Sequence, residues 1–349
     1  MVEFPAFVRP LLTEIARRAV EYDIHHRWPE QDLVELSRIG AMKWAIGKPW
    51  GGYDLDALTL HDHYEAIASA SLATALILSQ RDAAIGYIEA SENPTLKDRY
   101  LPLLSQNKLW CTIGISHLST SHQSGTLTAE RDGNRFIING TIPWATGAVR
   151  SDFLVAGAKT LDQQQILFIL PTTSSNVQVL EPTQLATLSA AQTSTVRCAN
   201  VCLEPEQILV GPIDKALHVR KRRLPLGQTF APLGLTLAAL DLIRQIDLPS
   251  AKNTYESLLD QFNELRHTVR EANTRLMDEQ DLQSGPLIRS ECNNLAIRAT
   301  HSAVTLYKGA GLRIDHPAQR LAREALFLLV WSTPTSVMDR NLELIADPY

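Results

Sequence analysis

Apolar positions early in the chain recur at intervals of three and four residues. Ala6 to Tyr22 and Gln31 to Ile39 both carry this spacing, which places one helix face against a core. Leu58 to Ala90 is rich in Ala, Leu, Ile and Ser, with too few polar residues for an exposed helix. It is expected to be largely buried. Pro49-Trp50-Gly51-Gly52-Tyr53 is a turn cluster between these helices, and Tyr100 to Leu104 closes the helical part. Beyond residue 107 the period changes. Arg135 to Asn139, Phe153 to Ala158, Gln165 to Leu170, Val177 to Leu180 and Ser194 to Leu203 are short, alternating or β-branched, and separated by turn residues. Glu204-Pro205-Glu206 and Gly211-Pro212 end this β region. Helical spacing returns in Phe230 to Arg244, Ala251 to Glu279, Ile288 to Lys308 and Pro317 to Trp331, the pattern of a four-helix bundle. The expected architecture is α+β and multidomain. It has a helical unit over 1–107, a central β-barrel or sandwich over 108–212 and a helical bundle over 213–349.

Composition narrows the partners. The chain has 349 residues, 45% hydrophobic and 20% charged, with a net charge of -5. That is ordinary for a soluble globular protein and gives no reason to invoke nucleic acid or an acidic membrane. No apolar run reaches the ~18 residues of a membrane span, and MVEFPAFVRPLL lacks the layout of a signal peptide. The scattered cysteines, Cys111, Cys198, Cys202 and Cys292, read as buried small hydrophobes in a reducing, cytoplasmic setting. No histidine pair has ligand spacing with a third group, so no metal is expected.

Cys111 to Gly147 carries the chemistry. A Ser/Thr-rich turn leads into a strand, a Gly-Asn reversal, a second strand, and then Pro143-Trp144-Ala145-Thr146-Gly147. This resembles the flavin-cradling β segment of the acyl-CoA dehydrogenase superfamily. Trp50-Gly51-Gly52-Tyr53, Ala191 to Gly211, Tyr307 to Gly311 and Arg320 to Ala325 also resemble family motifs, in the family's order. The resemblance implies an FAD cofactor, with FMN as the other candidate. Trp144 would pack beside the isoalloxazine ring, Thr146 would donate near N5, and Ser116 and Ser121 would meet the pyrimidine edge and pyrophosphate. Gly309 and Gly311 would let backbone approach the dinucleotide of a neighbouring subunit, in a homodimer or homotetramer. Each motif also has a plainer reading: Ser and Thr capping their own loop, and glycines ending a helix.

Two departures stand out. Removing an α-proton needs a base within hydrogen-bond reach, and the family's loop glutamate falls here on Ser332, or on Thr333 with a one-residue shift. The alternative helix position falls near Leu224, beside Arg222 and Arg223. Glu324, Asp339 and Glu343 are nearby acids that read as helix-face or ion-pair charges. The second departure is Leu242 to Tyr255, which lacks the family segment that reaches the adenine end of FAD. The basic run Arg220 to Arg223 is a compensating candidate for phosphate; a solvated helix start is its other reading.

His117 and His122 lie in the flavin-loop segment, and His316 lies near the Gly-rich turn. Imidazole donors without a carboxylate suit a flavin monooxygenase, which needs no α-proton base. Three functions therefore stay open for a small-molecule substrate. The first is oxidation of an acyl-thioester-like compound. The second is two-component monooxygenation of a small apolar compound, and the third is a scaffold that keeps the fold without the chemistry.

Overall fold

The computed structural model describes residues 8–119, 126–221, 224–277 and 284–346. Five helices open the chain: α1 (Val8–Ile24), α2 (Glu30–Arg38), α3 (Ala57–Ala70), α4 (Leu72–Ala90) and α5 (Pro94–Ser105). The long apolar stretch is thus two helices. Ser71 divides them: its backbone leaves the helical region, its N–H caps α3, and its hydroxyl accepts from Thr74 N at the start of α4. A short polar residue that satisfies the orphan groups of both ends makes this break possible.

Eight strands follow: β1 (Cys111–Gly114), β2 (Thr128–Asp132), β3 (Arg135–Ala145), β4 (Phe153–Thr160), β5 (Gln165–Pro171), β6 (Val177–Val179), β7 (Ser194–Leu203) and β8 (Ile208–Ile213). They form one sheet in the order β6-β7-β3-β2-β4-β5-β8, with β1 also parallel to β4. Alternation along β4 and β5 splits their side chains between two cores. Leu154, Ala156, Ile166 and Phe168 pack with Ile138 and Val196 inside the β unit. Phe153, Val155, Leu167 and Ile169 face Ile85, Ile88 and Leu101 of α4 and α5. The sheet is thereby fixed to the N-terminal helices.

Helices α6 (Phe230–Ile243), α7 (Pro249–Met277), α8 (Ser284–Tyr307), α9 (Pro317–Leu328) and α10 (Thr335–Ala346) complete the chain. Helix α6 is apolar all round and almost wholly buried, as a central helix must be. One core joins it to the N-terminal helices, with Leu72 and Ile77 meeting Phe230, Leu235, Ala296 and Leu321.

One cysteine departs from expectation. Cys111, Cys198 and Cys292 are buried, but Cys202 is exposed. The cause is a break in alternation along β7. The β3–β7 pairing shifts register between Ile138 and Gly140, and Asn200 takes a φ of 55°. One extra residue sends every later side chain to the opposite face. Among the described residues, no helix is long and apolar enough to cross a membrane.

Candidate active site

The end of β3 presents the first group of site residues. Trp144 is 45% exposed, between buried Ile142 and Ala145, and Thr146 follows half-buried. The indole therefore faces solvent at the strand end. Gly147 then turns the chain at a φ of 64°, and a Cβ there would lie 2.7 Å from the Trp28 ring. Trp28 meets Trp110 edge-on at 6.3 Å, and the Arg81 guanidinium lies over Trp110 at 5.4 Å. The strand end therefore rests on two aromatic rings and a cation.

The loop after β1 begins with a tight turn, Ser116–Leu118, with the Ser119 hydroxyl donating to Ser116 O at 2.8 Å. His117 is buried, with Nε2 2.8 Å from the Gly157 carbonyl oxygen. A carbonyl can only accept, so Nε2 carries the proton. Burial holds the ring's pKa below its usual value, although the Gly157 bond opposes this. His117 thus fastens the loop to β4, and its Nδ1 is buried without a hydrogen-bond partner among the described residues. Ser121 and His122 lie outside the described residues.

Gly309 and Gly311 sit in the turn Lys308–Leu312. A Cβ on Gly309 would meet nothing within 4 Å. On Gly311 it would meet Tyr307 Cβ at 3.0 Å and Val304 O at 3.1 Å, so Gly311 already has a packing role within its own chain.

Ser332 is exposed, with a left-handed φ of 45°. No acid replaces it there. Beneath it, Arg289 of α8 is 8% exposed and donates Nη1 to Ser332 O at 2.9 Å and Nη2 to Trp331 O. Burial brings this guanidinium's pKa down to about 10, so it stays charged at neutral pH. Leu224, the other base position, is buried and apolar. Glu324 is buried against Arg320 at 2.8 Å, and Glu343 pairs with Arg340 on the surface. Asp339 is exposed. Lys221 N donates to Gly86 O at 3.1 Å, and Arg220 Cγ lies close beside Gly86. Part of the basic run therefore lies along α4; Arg222 and Arg223 are outside the described residues.

An aromatic series joins the turn to the N-terminal helices. Trp331 stacks on Phe327 at 5.3 Å and meets Phe230 at 5.8 Å, and Phe230 lies 5.4 Å from Tyr64. The Tyr64 hydroxyl donates to Asp82 at 2.6 Å, and Asp82 pairs with Arg81 at 2.8 Å. Sequence reasoning missed this group. Its one visible signal is the adjacent charged pair Arg81-Asp82 inside a largely apolar helix, which is costly unless both members are satisfied.

His61, Asp62 and Glu65 also converge, with ligand-type atoms within 4.8 Å. Their partners are protein groups: Thr229 for His61, Arg266 for Glu65 at 2.8 Å, and Arg270 for Asp62 at 2.5 Å. Two guanidiniums make this an ion-pair joint between α3 and α7.

These residues fit one end of a flavin. An exposed indole beside a half-buried hydroxyl supplies a wall and a donor for the ring. Only residues 244–248 separate α6 from α7, which leaves no room between these two helices for a segment at the adenine end.

Comparison with known proteins agrees with the fold. Residues 6–108 match the family model for the acyl-CoA dehydrogenase N-terminal domain. The chain is 23% identical over 338 residues to the short-chain specific acyl-CoA dehydrogenase, mitochondrial, of Sus scrofa, covering 89% of this chain and 81% of that protein. It is 23% identical over 349 residues to cyclohex-1-ene-1-carbonyl-CoA dehydrogenase of Syntrophus aciditrophicus, covering 91% and 83%. Butyryl-CoA dehydrogenase from Megasphaera elsdenii superposes with a TM-score of 0.82 at 16% identity, covering 99% of this chain and 100% of that one. The family-model match over 6–108, the sequence matches along most of the chain and the shared order of helical, β and helical parts together support membership of the acyl-CoA dehydrogenase superfamily.

Proposed function

We propose that this protein is a flavin-dependent oxidoreductase that binds FAD and acts on a small acyl-thioester-like compound. One observation carries the reading: the exposed Trp144 indole stands beside Thr146 at the end of β3, in a chain related along most of its length to acyl-CoA dehydrogenases. Bound FAD would supply a hydride acceptor. The chain's own part is to bind and orient. Trp144 would cover the ring, Thr146 would donate to its edge, and Ser116 and Ser121 would hold the pyrimidine and pyrophosphate. Gly309 leaves open space for a neighbouring subunit's dinucleotide, which calls for a homodimer or homotetramer.

The monooxygenase reading drew on loop imidazoles, and it is weakened by His117. That ring spends its proton on Gly157 O and lies buried. His122 is left as its one loop candidate. The test is an absorbance spectrum of the purified protein, alone and after adding FAD or FMN. FAD should give a perturbed flavin band, and Thr146→Val should weaken FAD binding by about fivefold, the loss of one hydrogen bond. No flavin band under any condition would leave only the scaffold reading, and an unchanged affinity in Thr146→Val would remove Thr146 from the ring edge.

A further inference from the structure

The buried acids of the described residues fall into two groups. Asp23 pairs with Arg323, Asp32 with Arg18, Glu65 with Arg266 and Glu324 with Arg320, the last three at 2.7, 2.8 and 2.8 Å, and Glu89 accepts from Gly47 N at 2.6 Å. The contacts of Asp23, Asp32, Glu65 and Glu89 each fasten one segment to another, and the Glu324–Arg320 pair lies within α9. Asp82 is the exception because its second partner is a phenol that faces the aromatic series leading to the turn at Ser332. Its Oδ1 takes Arg81 Nη1 at 2.8 Å, and its Oδ2 takes the Tyr64 hydroxyl at 2.6 Å. The position of Asp82 is fixed from behind. Arg81 is fully buried and donates Nη2 to Met42 O and Leu104 O at 3.1 and 2.8 Å. Tyr64 is half-buried and packs on Phe230, which in turn touches Trp331, next to Ser332. On its other side, Arg81 lies over Trp110, which leads through Trp28 to Gly147. The Tyr64–Asp82 pair therefore stands between the two parts of the candidate site.

We propose that Tyr64 is the proton acceptor that takes the place of the absent loop carboxylate, with Asp82 and Arg81 acting through it. The inference rests on the acyl-thioester reading above. In the step, the bond from the substrate's α-carbon to hydrogen breaks and its electron pair stays on the substrate as an enolate. The proton bonds to the Tyr64 oxygen as the phenolic proton passes along the existing hydrogen bond to Asp82. The charge that moves from Asp82 to the substrate is balanced locally by Arg81, and the charge of Arg220 also bears on Tyr64. Burial, with Asp82 beside it, pushes the phenol well above its usual pKa, so Tyr64 is protonated at rest and works only in concert with Asp82.

The experiment follows α-hydrogen exchange, which needs no redox turnover. FAD-loaded protein is incubated with butyryl-CoA in D2O and deuterium uptake is read by mass spectrometry. Butyryl-CoA affinity is measured in parallel by equilibrium dialysis. Tyr64→Phe keeps the ring on Phe230, and Asp82→Asn keeps the side chain's shape. Each should lower exchange by about 100-fold, the lower end of what a positioned base contributes, with butyryl-CoA affinity and FAD content within threefold of wild type. Wild-type exchange should also fall through a single ionisation as pH drops, and Asp82→Asn should lose that limb, which a purely structural role would not remove. Exchange within threefold of wild type in Tyr64→Phe overturns the proposal, and so does wild-type protein that binds butyryl-CoA without exchanging it. Wild type that binds neither FAD nor butyryl-CoA instead overturns the reading beneath it, and the proposal falls with it.

Discussion

The two sides of the candidate site are built on opposite physical terms. At the end of β3 stand an indole, a hydroxyl and a left-handed glycine within four consecutive residues, resting on Trp28. At the turn after α9, an exposed, left-handed Ser332 lies over the buried Arg289 guanidinium. The first side needs only shape and one donor, which a short strand segment can hold. The second would need an ionisable group in a tuned field, and that field now has a buried cation in it. A carboxylate added beside such a cation would be held ionised and weakly basic. Under the proposed function, the binding groups lie within one short segment, while the proton chemistry falls to Tyr64 and Asp82 on the aromatic series.

Acid should strain the turn side most. His61 lies behind Phe230, bonded to Thr229 at 3.0 Å, and burial holds its pKa at about 4. Unfolded, it would titrate near 6.5. Its folded pKa is therefore depressed. The stability it contributes is complete above about 6.5 and is lost as pH falls toward 4, because the unfolded chain takes a proton the fold refuses. The loss amounts to about 3 kcal/mol. Urea midpoints at pH 7 and pH 4.5 should converge for His61→Gln relative to wild type, since every other buried group is common to both. Parallel pH slopes in the two proteins would sink this account. His117, on the strand side, is shifted the same way by burial.

Gly147→Ala attacks the strand side. An alanine must hold a φ of 64° and place its Cβ 2.7 Å from Trp28. Left-handed backbone costs an L-residue roughly 1–2 kcal/mol, and the ring must also shift. A destabilisation of about 2 kcal/mol is expected, with altered tryptophan emission from the Trp28–Trp110 pair. If the melt and the emission are both unchanged, Trp28 does not support this strand end.

How much of this was legible in the chain depends on distance. Ser194–Leu203 reads as a strand with its observed limits because β-branched residues alternate between turn residues. Trp144 and Thr146 stand out only through the resemblance to the family's Trp-x-Thr spacing, not through the local pattern. The exposure of Cys202 was not, because the register shift that exposes it involves the partner strand β3. Leu58 to Ala90 hid its break because Ser71 differs little from the small residues around it. The Tyr64–Asp82 bond spans two helices, so no single stretch of sequence carries both members. Ser332 is conspicuous only beside the family pattern, and Arg289, 43 residues away, carries no mark of its role.

The smallest expected effect tests whether the strand side extends to a second subunit. Gly309 and Gly311 lie two residues apart, yet their surroundings differ. A Cβ on Gly311 would press on Val304 O and Tyr307 of its own chain, whereas one on Gly309 would meet nothing within 4 Å. Gly309→Ala should therefore leave the thermal midpoint nearly unchanged, within about 0.5 kcal/mol of wild type. Gly311→Ala should lower it measurably. If a neighbouring subunit's dinucleotide occupies the open space, Gly309→Ala should still weaken FAD retention on dialysis by a few fold. Retention equal to wild type would confine the flavin contacts to the residues around β3. A glycine that leaves folding alone and changes only cofactor retention is the kind of residue that single-chain packing cannot explain.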